Sequence, residues 1–352
     1  MTTTAISRQP ITCYPCSQIF PSLQPSQWLR HIRLRRIKLS LLLLLPLLLP
    51  SCNKTPISLP SFREMPSPIA EDLSSVAFAD SLHGSLTGGK AWEHGFVMNT
   101  EDGGLTWHTD TVFDWKMEQV CFDSKGQGYA CGQNLLLYKP SGEEHWRLFR
   151  ADFQWLRACH FPTGKRGAVV GGEGYHGGHA YTFGPDPFWK LDTLQTFPNE
   201  IESVWYSDSV TLHAVGFGWV MRSSNAGRSW ERLDITGDFF QSVHFPTPST
   251  GYICGNSGTI LKTSDGGQHW RVIRKGGSTG KRLKPFRALR FATADKGWIV
   301  GDQGIFWQTE DGGDSWNPVE EAPADADFTA VFLLGNKGWA TAKGGRLFGF
   351  DD

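Results

Sequence analysis

The sequence predicts an all-β fold: a seven-bladed β-propeller of four-stranded antiparallel blades, its last blade closed by an N-terminal strand. Three observations lead there. The octet Ser/Thr-x-Asp-x-Gly-x-x-Trp stands at residues 100–107, 263–270 and 309–316, with a softened copy at 223–230. Tryptophans recur at 107, 146, 189, 230, 270 and 316, a period of about 42 residues, as in repeat architectures. The chain of 352 residues carries 40 Gly, 15 Trp and 23 Phe and lacks long helix-forming runs, a composition of short strands and tight turns.

Each octet reads as a hairpin turn. Asp side chains accept hydrogen bonds from backbone N–H groups nearby, and Gly supplies the positive φ of a tight turn. Asp102, Asn225, Asp265 and Asp311 are therefore expected to be structural. Trp107, Trp230, Trp270 and Trp316 open the fourth strand and fold under the turn. The stretches before Trp146 and Trp189 are degraded octets that keep turn residues.

The first strand of each unit ends in an aromatic or Leu: Phe78, Phe122, Phe161, Tyr206, Phe245, Phe291, then Leu333. The second opens on Gly and often an aromatic, as at 128–129, 251–252 and 297–298. The seventh unit reaches Asp352 with three strands and no Trp. One repeat back from Trp107 lies Phe62, so the segment 58–65 is expected to supply the missing strand and leave the ring without an open edge. The propeller is placed at 71–352.

The first 51 residues hold six basic and no acidic residues. A basic stretch at 30–38 precedes a Leu-rich segment at 39–49, too short to span a bilayer and suited to an export signal. Leu49-Pro50-Ser51-Cys52 resembles a bacterial lipobox, which makes Cys52 the expected lipidation site. Residues 1–51 are then a signal peptide, with 1–29 placed unusually far upstream and the true start near residue 30. Residues 52–70 are lipid anchor, Pro-containing tether and closing strand. Localisation follows: a membrane-anchored lipoprotein of the bacterial cell envelope. From residue 52 onward 28 basic residues face 35 acidic ones, an ordinary soluble surface with nothing to suggest nucleic-acid binding.

The octet resembles the Asp-box, or BNR, repeat. Over about residues 70–350 the full unit resembles the photosystem II stability/assembly factor family of β-propellers. The resemblance implies a scaffold that holds a membrane-protein partner through a basic surface. It departs from the photosynthetic pattern in its lipobox-like anchor, so the fold and the scaffold role are carried over and a photosystem partner is not.

Five features could bear function. Residues 271–290 hold eight basic residues, no acidic one and three Gly. Arg274, Lys275, Lys281, Arg282, Lys284, Arg287 and Arg290 are the expected partner-binding set for an anionic surface, with an ordinary solvated loop as the plain alternative. Glu173, His176 and His179, with His160, could ligate a metal, but the spacing fits no standard signature and Gly-Gly is good hairpin chemistry, so no metal or cofactor is assigned. Among Cys121, Cys131, Cys159 and Cys254, the pair Cys121–Cys131 lies on neighbouring strands and could form a disulfide. The residue before each strand-one end varies: Ala77, Cys121, His160, Trp205, His244, Arg290 and Phe332. Such variation suits a ligand-facing or channel-facing set, and packing between blades explains it more simply. The octet aspartates are not offered as catalytic acids.

Three function classes follow. A non-catalytic protein-binding or assembly scaffold, partnered by another envelope or membrane protein, needs no catalytic set, and none is visible. A sialidase- or glycosidase-like enzyme needs facing carboxylates, for which Glu173, Asp238 and Asp327 are weak candidates, and the arginine-containing opening motif of sialidases is missing. A polysaccharide-binding lipoprotein would stack sugars on Trp115, Trp155 and Trp219. Two carboxylates across the channel mouth favour the enzyme, a basic mouth the protein binder, and an exposed aromatic strip the lectin.

Overall fold

Each first strand opens on an apolar side chain with almost no exposed surface: Leu73, Met117, Leu156, Ile201, Phe240, Phe286 and Phe328. These residues begin seven inner strands, Leu73–Phe78, Met117–Phe122, Leu156–Thr163, Ile201–Tyr206, Phe240–His244, Phe286–Phe291 and Phe328–Leu334. The computed structural model describes residues 62–151, 154–164, 166–174, 176–184, 191–277 and 284–351. Residues 57–352 form one compact unit that holds all the described strands.

The strands assemble into seven four-stranded antiparallel sheets, and the inner strands lie side by side in a closed ring. Six sheets take their strands in chain order from the inside out. In the seventh, the outermost strand is Arg63–Met65, which pairs with Leu347–Asp351 in the register Arg63↔Gly349, Glu64↔Phe348, Met65↔Leu347. The expected closing strand is therefore present. Phe62 beside it stands edge-on to Phe306 at 5.0 Å and stacks on Phe348 at 5.3 Å, so the two ends of the ring share one apolar cluster.

Neighbouring blades are joined by rings. The aromatic that follows the first Gly of a second strand stacks on an aromatic at or near the end of the next inner strand: Tyr129 on Phe161 at 3.8 Å, Tyr252 on Phe291 at 3.7 Å, and Trp339 on Phe78 at 3.9 Å across the ring closure. The octet Trp stands against the same aromatic from its own blade, as Trp316 does on Phe291 at 5.9 Å and 88°. This stacking explains the Gly that opens the second strand. A Cβ on Gly251 would lie 2.5 Å from the Phe245 ring.

The octets fold as turns. Thr100 Oγ1 donates to Asp102 Oδ1 at 2.8 Å and accepts from Gly104 N at 2.9 Å, while Thr106 N donates to the same carboxylate at 2.9 Å. Residues 263–269 and 309–315 repeat the pattern, and Asn225 replaces the aspartate in the fourth copy. These bonds, led by those from Thr106, hold the Asp102 carboxyl at about 2.

The proposed disulfide is not formed. Cys121 faces Tyr129 and Cys131 faces Gln119, so the two cysteines are diagonal neighbours, a separation too wide for an unstrained S–S bridge. All four described cysteines are free thiols, and Cys121 Sγ lies 3.3 Å from Cys159 Sγ of the next blade. Burial pushes the Cys159 thiol well up.

Candidate functional site

Every inner strand carries a β-bulge at the same place, between its first and third residues. A bulge re-aims the extra side chain. Here the seven re-aimed residues are all polar: Ser74, Glu118, Arg157, Glu202, Gln241, Arg287 and Thr329. They line a central cavity of about 500 Å³. Six of the seven varied residues, Ala77, Cys121, His160, Trp205, Arg290 and Phe332, line the same cavity, and His244 packs behind Trp205 at 4.4 Å. The varied set thus borders the channel and also packs between blades, as His160 does on Trp205 at 3.9 Å and Phe332 beside Phe78 at 6.2 Å.

At the end where the inner strands start, the mouth is charged and tied together. Arg157 donates to Glu200 at 2.8 Å and lies 3.5 Å from Glu118, which also accepts from Lys116 at 2.9 Å. Burial pushes the Glu202 carboxyl up to about 7, with the Arg157 charge opposing and the neighbouring Glu200 and Glu118 adding to the rise. Arg287 makes two bonds to Asp302 at 2.9 and 2.8 Å.

Beside this mouth stands a tryptophan cluster. Trp92, at the tip of a hairpin, is 58% exposed and holds φ at 65°, a left-handed conformation that costs a non-glycine residue about 1 kcal/mol or more. Its ring meets Trp155 edge-on at 5.3 Å and Trp115 at 6.2 Å. Trp155 Nε1 donates to Glu118 at 2.9 Å, and the Arg157 guanidinium covers its ring at 4.0 Å. Trp219 lies elsewhere, under Arg232 at 4.3 Å.

The described members of the expected basic set stand in separate places. Lys281 and Arg282 lie outside the described residues, as do Cys52, Trp189 and the whole of 1–61. Lys284 is exposed and donates to Gln303 O at 2.8 Å. Arg274 bonds Gly258 O and lies over the Phe286 and Trp307 rings, and Lys275 is exposed beside it. Arg287 belongs to the mouth and Arg290 to the channel.

The weak acid candidates are turn residues. Asp238 accepts from Phe239, Ser257 and Thr259 N–H groups, and Asp327 from Gln303 N and Lys343. Glu173 and His176 pair at an exposed hairpin end, His179 is buried with Nδ1 on Gly177 O, and His160 faces the channel, so these side chains do not converge.

Residues 222–321 match the family of the photosynthesis system II assembly factor YCF48. The match takes in the softened octet and the two that follow it, the fifth and sixth blades. In structure the chain is similar to YCF48 from Cyanidioschyzon merolae, with a TM-score of 0.64 at 16% identity over 82% of this chain and 98% of that one. It is similar also to YCF48 bound to D1 peptide, with a TM-score of 0.62 at 18% identity over 83% and 97%. The WD40 propeller domain of Doa1 gives 0.64 at 12% identity over 82% and 95%. At these identities the likeness to the solved structures shows the propeller fold. No curated protein matches the chain in sequence. The YCF48-type stretch supplies Arg287 and Arg290 to the channel, whereas the tryptophan cluster and Arg157 come from the first three blades, outside the match.

Proposed function

We propose that this protein is a non-catalytic scaffold that binds another polypeptide across the charged mouth and its tryptophan cluster, and that Cys52 anchors it as a lipoprotein in the bacterial envelope. The carrying observation is Trp92: a large apolar ring, more than half exposed, held outward on a left-handed backbone beside Trp115, Trp155 and Arg157. Exposed aromatics with arginine at their centre and charged residues at the rim are the composition of a protein-binding hot spot. The YCF48 match and the peptide bound by one structural neighbour support the same reading.

The other classes fit less well. The acids offered for glycoside hydrolysis do not face one another, since Asp238 and Asp327 accept backbone N–H groups in turns and Glu173 stands at an exposed hairpin end. Sugar stacking would fall to Trp92, since arginines lie over Trp155 and Trp219 and Trp115 packs against Trp92 at 6.2 Å.

A photo-crosslinking amino acid placed at position 92 of the full chain in cells tests this, with position 105 on an octet turn as control. Leu105 is equally exposed. One discrete polypeptide captured from 92 and not from 105 supports the reading. Equal capture from both, or none from 92, overturns it. Radiolabelled palmitate incorporation that is lost in Cys52→Ala tests the anchor.

A further inference from the structure

Five cations line the channel: Lys116, Arg157, Arg287, Arg290 and Lys343. Four have carboxylate partners, in Glu118, Glu200, Asp302 and Asp327. Arg290 has none among the described residues. Its Nη1 donates to its neighbour's carbonyl, Leu289 O, at 2.9 Å, and its guanidinium lies over the Trp205 ring at 5.4 Å. A guanidinium withdrawn from bulk water with no counter-charge is costly unless something supplies one.

The groups around it are donors. His160 Nδ1 accepts the Tyr206 N–H at 2.9 Å, which leaves the imidazole proton on Nε2, on a ring that faces the channel and stacks on Trp205 at 3.9 Å. His244 Nδ1 accepts the Phe291 N–H at 3.3 Å, which fixes the same tautomer behind Trp205. Burial, then the Arg290 charge, depresses both histidines, His160 to about 3, so they are neutral donors at neutral pH. Cys121 completes this part of the wall, with Ala77 and Phe332 apolar beside it.

We propose that the channel holds a carboxylate-binding site, in which Arg290 takes the two oxygens side by side, His160 Nε2–H donates to one of them, and Phe332 and Ala77 face the apolar part of the ligand. A guanidinium fork matches a carboxylate in plane. A cavity of about 500 Å³ holds more than a bare ion, so the ligand is a small organic carboxylate or the C-terminus of a peptide. The site shares its cavity with the mouth residues, and its argument does not rest on the mouth holding a partner.

Isothermal titration of the full chain tests it in two arms. Benzoate probes the free acid. A trialanine peptide with a free C-terminus, against its amide, probes a chain end. Saturable binding at one site per chain in either arm is expected, reduced at least tenfold in Arg290→Met and less in Arg290→Lys. Arg290→Met is expected to unfold at the same temperature as wild type or higher, since it removes a half-buried charge with no carboxylate partner among the described residues. Binding of the peptide and not its amide identifies a chain end, and benzoate alone a free acid. Binding in neither arm, or binding unchanged in both variants, overturns the proposal. Arg290→Lys keeps the test decisive if Arg290→Met fails to fold.

Discussion

Thr263 Oγ1 accepts the buried Gly267 N–H at 3.0 Å and donates to Asp265 at 2.8 Å, while the Asp265 carboxylate itself lies partly in solvent. Thus the first residue of the octet, not the aspartate that marks it, satisfies the buried donor. Thr263→Val keeps the shape and strands that N–H, and should cost about 1–3 kcal/mol by urea denaturation. Asp265→Asn should cost less than about 1 kcal/mol, because Asn225 accepts the same Ser229 N–H bond at 2.9 Å in the softened octet. Equal losses in the two variants would refute this ranking. Glycine is required on different grounds. Gly251→Ala drives a methyl into the Phe245 ring and should cost about 1–3 kcal/mol, whereas Gly184→Ala meets its nearest atom, in Asp192, at 3.7 Å and should be close to neutral.

At the scale of the element, the closing strand joins the chain ends with few backbone bonds, since only three residues pair. Arg346 bonds Glu64 at 2.9 and 3.0 Å, but Glu64 is half exposed, so this pair adds at most about 1 kcal/mol. The rings decide. Phe62 packs among Phe306, Phe328, Phe348 and Phe350, and Met65 among the blade-one residues. Phe62→Ala should therefore destabilise by about 2–4 kcal/mol and speed amide exchange at 347–349, while Glu64→Gln should change neither measurably. An unchanged exchange rate in Phe62→Ala would mean that the strand does not depend on its ring. This strand was legible in the sequence because the Trp count ran one short. The blades were legible for the same reason: octet, glycine and aromatic recur at fixed offsets because each ring must lie over a glycine. The bulge leaves only a faint trace in the sequence, a polar residue after the first buried residue in all seven inner strands.

At the scale of the molecule, the channel sets how stability answers to pH. The site was only half legible. The varied set did border the channel, but the basic stretch dissolved into separate roles because strand pairing, not sequence proximity, decides where Arg274, Arg287 and Arg290 point. The tryptophan cluster depends on three blades meeting at one rim, which one-dimensional spacing does not show. Two kinds of buried group oppose each other as the pH changes. Glu202, raised to about 7 from an unfolded value near 4.5, contributes stability that is present below pH 4.5 and lost as pH rises through 7. His160 and His213, both held at about 3, chiefly by burial, and His244, held well below its usual value, contribute stability that is present above about pH 6.5 and lost on acidification. Each group changes the balance by at most about 1.4 kcal/mol per pH unit, and less where channel water reaches it. Three histidines therefore outweigh one glutamate between pH 6.5 and 4.5, and unfolding free energy should fall across that window when followed by urea denaturation. Above it the glutamate acts with little opposition from the histidines, so Glu202→Gln should stabilise the protein at pH 8 by about 1–3 kcal/mol and have little effect at pH 4.5. His213 stacks on Phe245 at 4.2 Å, away from the channel lining, so His213→Gln should flatten the acid limb without altering the Glu202 limb. A stability profile that rises from pH 6.5 to 4.5, or a Glu202→Gln variant no more stable at pH 8, would show that channel water screens these groups.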